Sequence, residues 1–312
     1  MIALAIDLGG SHAACAVVRD GAVLACRSLP VDGRKPLRGL LPLLGNTLHE
    51  LVGSAQITPT DISALVFGFC GIVSVREKRV LATNKKFQDA PSLDLGAWCT
   101  GTFGLPFLLE NDARLALLGE SAFGAARAAQ DVVMITLGSG IGGAALLNGR
   151  LLQSKHGLAG TIGGHLPVVL DGRLCSCGNR GCAEAEAGTV VLGEIYRQQP
   201  GSERGTLNSH PAIGFAELFA AADAGDKPAV TALEHCLRVW SALTVALIHA
   251  YDPEIVIFGG SVLKRATDIL PRLQEYIDAH AWTPGRIVPL RRAALGSNAA
   301  ILGAIPLIES SL

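Results

Sequence analysis

Four residues in the middle of the chain offer the most specific chemistry. His165, Cys175, Cys177 and Cys182 supply one imidazole and three thiolates, a full tetrahedral donor set for structural zinc. Gly178 and Gly181 allow a turn tight enough to bring Cys182 back to the other three. Such a set is closed, so it is expected to pin a loop and not to activate water. Packed or redox-active thiols are the competing reading. The other cysteines (Cys15, Cys26, Cys70, Cys99 and Cys236) are scattered through apolar segments, where a thiol is usually a small core residue.

A second chemistry is written in glycines and carboxylates. Residues Ala5–Leu24 and Val133–Leu152 share one organisation: an apolar strand, a glycine-rich turn, a second apolar strand, a two-residue turn and a third strand. Gly10 falls on Gly138, Ser11 on Ser139, Asp20 on Asn148 and Gly21 on Gly149. Asp-Gly and Asn-Gly favour hairpins because both turn positions need positive φ. The glycine turns themselves leave backbone N–H groups open to phosphate oxygens. Glycines that merely permit hairpins are the plainer explanation, but two turns in register, with Asp7 before the first, favour a nucleotide. A carboxylate beside phosphates normally works through Mg²⁺. Asp112 precedes an apolar-periodic run, so by spacing alone it is a helix cap as readily as a catalytic base.

The elements around these groups alternate. Strand-like runs fall at Ile62–Phe69, Arg79–Thr83, Pro106–Leu109, Glu254–Phe258 and Ile287–Leu290. Helical stretches begin after Asp112 and cover Glu184–Gln199, Gly214–Ala224, Pro228–Tyr251 and Lys264–His280. This implies an α/β architecture, and the repeated unit implies a duplicated domain. The expected division is a small N-terminal α/β domain over 1–115, completed by a C-terminal helix at 298–312, and a larger α/β domain over 116–297 carrying the zinc loop. No low-complexity linker separates them, so a hinge with a continuous cleft is expected.

Composition narrows the partners. Of 312 residues, 49% are hydrophobic and 17% charged, with 37 glycines, which suits a well-cored enzyme with tight turns. The formal net charge is −1 and no basic stripe appears, which argues against a nucleic-acid partner. Mean hydropathy is +0.39. Yet no uninterrupted apolar run reaches the ~18 residues a spanning helix needs, and no signal peptide is evident. A cytoplasmic protein with no membrane partner is expected.

Taken together, several motifs resemble those of the ROK family of bacterial sugar kinases and related transcriptional repressors. They are Asp7-Leu-Gly-Gly-Ser-His, Glu110-Asn-Asp112, Leu137-Gly-Ser-Gly-Ile-Gly-Gly143, Gly157-Leu-Ala-Gly160 before a histidine, Cys175-Ser-Cys-Gly-Asn-Arg-Gly-Cys182-Ala-Glu184 and Asp252-Pro-Glu-Ile-Val-Ile-Phe-Gly-Gly260. The resemblance covers nearly the whole chain, in order, and the cysteine run is its most specific part. The 157–160 region and His165-Leu-Pro-Val are similar to allose and N-acetylmannosamine kinases.

The resemblance implies an actin-like ATPase (ribonuclease H-like) fold and ATP-dependent phosphorylation of a hexose or N-acylhexosamine. Asp112 would be the general base that takes the proton of the attacking sugar hydroxyl. Asn84, Asn111, Thr161, His165 and Glu184 would contact the sugar. Asp7, Gly9, Gly10, Ser11, Gly138, Ser139 and Gly140 would hold the phosphates, and Gly259 and Gly260 would lie against the adenosine. ATP, Mg²⁺ and a structural Zn²⁺ are the implied cofactors, and a homodimer the implied assembly. The family usually has Glu-x-Gly-His; here Thr161 replaces the glutamate and a glycine is added before His165. Threonine is shorter and uncharged, which bears on the sugar more than on the reaction. Cys70 stands where proline is typical, a local change of loop stiffness. The alternative is a non-catalytic, sugar-sensing regulator; with the first strand starting at residue 2, no DNA-reading segment is expected before it.

Overall fold

The computed structural model describes residues 1–161 and 163–311. The chain divides into two compact units: residues 1–129 with 149–161 and 293–312, and residues 130–148 with 162–292. The expected division at 115/116 falls inside a continuous helix of the first unit, Asp112–Phe123.

The first unit contains β1 (Ile2–Leu8), β2 (His12–Arg19), β3 (Ala22–Pro30), α1 (Leu41–Ser54), β4 (Ile62–Phe69), β5 (Gly71–Ser74), β6 (Arg79–Thr83), α2 (Leu95–Phe103), β7 (Phe107–Asn111) and α3 (Asp112–Phe123). Its main sheet has the order β3-β2-β1-β4-β7; β1 pairs antiparallel with β2 and parallel with β4, and β4 pairs parallel with β7. The later elements are β8 (Val132–Leu137), β9 (Ile141–Leu147), β10 (Arg150–Leu151), α4 (Ala183–Ala187), α5 (Leu192–Arg197), α6 (Phe215–Asp223), α7 (Lys227–Tyr251), β11 (Ile255–Gly259), α8 (Ala266–His280), β12 (Leu290–Arg292), α9 (Ala299–Leu302) and α10 (Ala304–Glu309). The second main sheet has the order β10-β9-β8-β11-β12; β8 pairs antiparallel with β9 and parallel with β11, and β11 pairs parallel with β12, as β1, β2, β4 and β7 do in the first sheet. The fold is thus the actin-like, ribonuclease H-like unit present twice.

The two hairpin turns form as their composition predicts. Asp20 and Gly21 have φ of 45° and 85°, and Asn148 and Gly149 have 52° and 71°, the paired positive values a tight two-residue turn requires. The strands are buried apolar runs: β1 and β4 sit in a core with Leu44, Leu48 and Phe107, while β8 and β11 are almost wholly buried.

Helix α7 is, among the described residues, the one helix long and apolar enough by composition to cross a membrane. It packs on α4, α5, α6 and α8 and buries Trp240, Leu243 and Leu247, which makes it a core helix. The helix expected over Glu184–Gln199 is broken. It ends at Gly188, whose N–H closes on the Glu184 carbonyl at 2.9 Å, and α5 starts only after a 3₁₀ turn at Thr189–Val191. Three β-branched residues in succession lose χ1 freedom in a helix, so the break falls there. The C-terminal segment forms two short helices, α9 and α10; residue 312 lies outside the described residues. A Cβ on Gly119 would meet the Ala299 carbonyl oxygen at 2.1 Å, and one on Gly303 the Leu115 carbonyl oxygen at 2.0 Å. Only glycine at these two positions lets α9 lie directly on α3.

Candidate active site

Parallel pairing of β1, β4 and β7 brings three strand ends into line. Asp7 lies opposite Gly68, Gly68 opposite Glu110, and Phe69 opposite Asn111. Carboxyl ends of parallel strands are where open α/β sheets place their ligands. Gly68 is the spacer of this edge: a Cβ there would stand 2.8 Å from Leu115 Cδ1 and 3.2 Å from the Ile6 carbonyl oxygen.

Strand β7 continues two residues beyond its expected end, so the helix cap is Asn111, not Asp112. The Asn111 Oδ1 accepts from the N–H groups of Ala113 at 3.0 Å and Arg114 at 3.2 Å. Its Nδ2 donates to the Gly71 carbonyl at 3.1 Å and to Asp112 Oδ1 at 2.9 Å. Asp112 is therefore the first helical residue, with Oδ1 also taking the Ala113 N–H at 2.9 Å. Behind it, Glu110 and Arg114 form a fully buried ion pair at 3.3 Å. Arg114 also donates to the carbonyls of Ala159, at 2.9 Å, and Leu152, which ties residues 149–161 to this unit.

Asp7 and Asp112 interact electrostatically. Each keeps some exposed surface, yet protein surrounds them enough to penalise their charged forms. Burial, then the Asp112 charge, raises the Asp7 pKa to about 7. Burial also raises that of Asp112, opposed by the Ala113 N–H, the Lys86 ammonium and the Asn111 amide. Carboxyls shifted this way at a strand edge are what proton transfer near neutral pH requires. Neighbouring Cys70 is pushed up to about 12, by burial first and then by Asp112, so it is an inert thiol here.

The first glycine turn follows Asp7 after one residue, Leu8. Gly9 donates to the His12 carbonyl at 2.9 Å, and Gly33 donates to the Gly10 carbonyl at 2.8 Å. Lys86 lies across this turn: a Cβ on Gly10 would meet Lys86 Cε at 2.7 Å and Nζ at 3.2 Å. Ser11 is exposed and its hydroxyl meets His12 Nδ1 at 3.0 Å.

In the second unit, Gly138 donates to the Gly140 carbonyl at 3.0 Å, and Thr189 Oγ1 donates to the Gly138 carbonyl at 2.5 Å. Ser139, at the tip, is exposed. Glu184 Oε2 accepts the Ile141 N–H at 2.9 Å, so this carboxylate braces the exit of the turn. Gly259 closes β11 beside Thr136, and Gly260, with φ of 94°, comes against Leu137, whose carbonyl oxygen a Cβ would meet at 2.1 Å.

The metal-ligating quartet assembles as its spacing predicts. Ligand atoms of His165, Cys175, Cys177 and Cys182 all lie within 4.8 Å of one another. Cys175 Sγ is 3.4 Å from His165 Nδ1, and Cys177 Sγ is 3.7 Å from Cys182 Sγ. A tetrahedral zinc with its usual bond lengths sets edges of about 3.6 Å for N···S and about 3.8 Å for S···S. The donor set and its dimensions therefore fit zinc. The added Gly164 does not displace His165 from the cluster; a Cβ there would meet the Ile141 carbonyl oxygen at 1.9 Å, so glycine is required.

Among the expected sugar contacts, Asn84, Asn111, Asp112 and Thr161 belong to the first unit and His165 and Glu184 to the second. Asn84 is exposed just after β6. Thr161 is buried, with its hydroxyl turned onto the Gly157 carbonyl at 3.5 Å. Lys86 escaped the sequence reading, because a Lys85-Lys86 pair after a short strand has the look of a solvated turn. By sequence Glu186 is a candidate for a lesser role only. It is buried, accepts the Arg173 N–H at 2.6 Å, and lies 3.8 Å from His235 Nε2.

Residues 3–311 match the ROK family. The chain is 31% identical over 309 residues to a glucokinase from Halalkalibacterium halodurans, covering 96% of this chain and 92% of that one. It is 32% identical to an N-acetylmannosamine kinase from Citrobacter koseri over 84% of each chain. The crystal structure of a ROK family glucokinase from Streptomyces griseus, in complex with glucose and AMPPNP, superposes with a TM-score of 0.81 at 27% identity, covering 98% of this chain and 99% of that one. By motif, topology and full-length similarity, the chain belongs to the ROK family.

Proposed function

We propose that this protein is an ATP-dependent kinase of a hexose or N-acylhexosamine, with Asp112 as general base. The observation that carries the reading is the edge formed by Asp7, the Gly9-Gly10 turn and Asp112 at the ends of β1 and β7. The similarity to kinases of glucose and of N-acetylmannosamine supports the same substrate class.

In this reading the sugar hydroxyl oxygen attacks the γ-phosphorus of ATP, the bond to the β-phosphate oxygen breaks, and ADP leaves with its electron pair. Asp112 receives the hydroxyl proton as the new O–P bond forms. Asn111 holds Asp112 Oδ1 and so fixes the direction in which the carboxylate faces. Asn84, Asn111 and Thr161, with His165 and Glu184 of the second unit, are the candidate sugar contacts. Gly9, Gly10, Ser11, Gly138, Ser139 and Gly140 are the candidate phosphate contacts, and Gly259 and Gly260 the adenosine contacts. Mg²⁺, held near Asp7, would supply charge neutralisation across the phosphates. His165, Cys175, Cys177 and Cys182 would hold one structural zinc.

A coupled assay of ADP release over a panel including glucose, mannose and N-acetylmannosamine tests the reading; no sugar-dependent ADP with any member refutes it. One observation favours a second reading, a sugar sensor without turnover. Thr161 stands where the family has a glutamate, and its hydroxyl is spent on Gly157. Sugar binding seen by calorimetry without ADP release would select that alternative.

A further inference from the structure

We propose that Lys86 binds the phosphoryl group in transit, as a cation fixed over the first glycine turn beside the catalytic carboxylate. The inference rests on the kinase reading above and deepens it.

Placement comes first. A side chain at Gly10 would collide with Lys86 Cε at 2.7 Å and Cδ at 2.9 Å, so the lysine stem covers the turn and its Nζ ends there. The same ammonium acts on Asp112 and on the Cys70 thiol, which puts it at the β1–β4–β7 edge. Among the described residues it forms no salt bridge. A half-buried cation over a phosphate turn, with no salt-bridge contact of its own among the described residues, is matched to an incoming anion.

The backbone that carries Lys86 is built to hold it. Its neighbours Lys85 and Phe87 have φ of 59° and 47°, in the left-handed region that non-glycine residues rarely enter. Such strain persists only where surrounding structure over-determines it, and it gathers at functional sites. The anchors are visible. Phe87 is 1% exposed, its ring lies 6.2 Å from that of Phe69, and its N–H donates to the Gly33 carbonyl at 2.5 Å. Gly33 in turn donates to the Gly10 carbonyl, so lysine and glycine turn are locked to one frame.

In phosphoryl transfer, charge spreads over the equatorial oxygens while the bond to ADP breaks, and a fixed cation there stabilises the transition state. Lys86 gives up no proton in this step; the proton goes to Asp112.

The test compares Lys86→Met, which keeps the stem, with Lys86→Arg, which keeps the charge. In sugar-dependent ADP release, Lys86→Met is expected to lose about 100-fold or more in kcat with sugar KM within about threefold, while Lys86→Arg recovers at least about tenfold of that loss. In calorimetry, Lys86→Met should lower the affinity for AMPPNP relative to ADP. Unchanged kcat, equal losses in both variants, or an unchanged AMPPNP-to-ADP ratio would overturn the proposal. Should the unaltered protein release no ADP with any sugar, the kinase reading falls by itself, and the nucleotide ratio alone then decides whether Lys86 reads the terminal phosphate.

Discussion

The amide of Asn111 donates to Asp112 Oδ1 at 2.9 Å while its own carbonyl oxygen caps α3, so one side chain both starts the helix and orients the carboxylate that follows. The two jobs separate by substitution. Asp112→Asn leaves the cap intact and removes the proton acceptor; kcat should fall by about 10²–10⁴-fold with an unchanged circular dichroism spectrum. Asn111→Ala should lose about 0.5–2 kcal/mol of stability through the cap and lower kcat as well. Steady-state kinetics with denaturant titration would check both, and full activity in Asp112→Asn would refute the assignment.

Asp7 should make the ligand-free protein less stable as pH rises. Its folded pKa is about 7, against an ordinary value of 3.8. Between those values the folded state binds more protons than the unfolded one, so stability falls across that window. Asp7→Asn removes the penalty. It should match the parent near pH 4 and exceed it above pH 7 by on the order of 2–4 kcal/mol, while losing activity. Urea titrations at pH 4.5 and pH 8 measure the difference; equal stabilities at both would contradict the buried, paired environment of Asp7.

Local signals in the sequence were strong where one turn or one spacing decides the structure. The Asp20-Gly21 and Asn148-Gly149 hairpins, β4, β6, α7 and the quartet of His165 with three cysteines all follow from a few adjacent residues. What was not legible depends on partners far along the chain. Residues 149–161 join the first unit through carbonyls that accept from Arg114; the C-terminal segment, expected in that unit from residue 298, belongs to it from residue 293, where the Glu120 carboxylate takes the N–H groups of Ala294 at 3.0 Å and Leu295 at 2.8 Å. No periodicity announces the 149–161 segment. The cap moved from Asp112 to Asn111 because pairing with β4 carries β7 as far as residue 111. Lys86 acquires meaning only once Gly33 and Phe69 have fixed the segment around it.

The quartet of His165, Cys175, Cys177 and Cys182 predicts one zinc per chain. Elemental analysis of the purified protein should give that stoichiometry, and Cys177→Ser should reduce it. Removal of the ion is expected to lower Tm by at least about 5 °C, because binding to the folded state alone adds its free energy to folding. The far-UV spectrum should change little, since the sheets are built from other residues. A protein free of metal as isolated, with unaltered Tm after added zinc, would refute the site.

Gly138 and Gly140 sit on the same turn but face different surroundings, which makes them a controlled pair. A Cβ at Gly138 would meet nothing within 4 Å, whereas one at Gly140 would fall 2.1 Å from Glu184 Oε2. Gly140→Ala must therefore push away the carboxylate that accepts the Ile141 N–H. A buried or half-buried donor left without its partner costs about 1–3 kcal/mol, and that loss should appear in Gly140→Ala. Gly138→Ala should keep the stability of the parent to within about 0.5 kcal/mol. If Gly138 approaches phosphate through its backbone, the added methyl group should still weaken AMPPNP binding. Denaturant titration and calorimetry on both variants separate the outcomes: equal stability loss would deny the brace by Glu184, and unaltered AMPPNP affinity in Gly138→Ala would remove this turn from the nucleotide site.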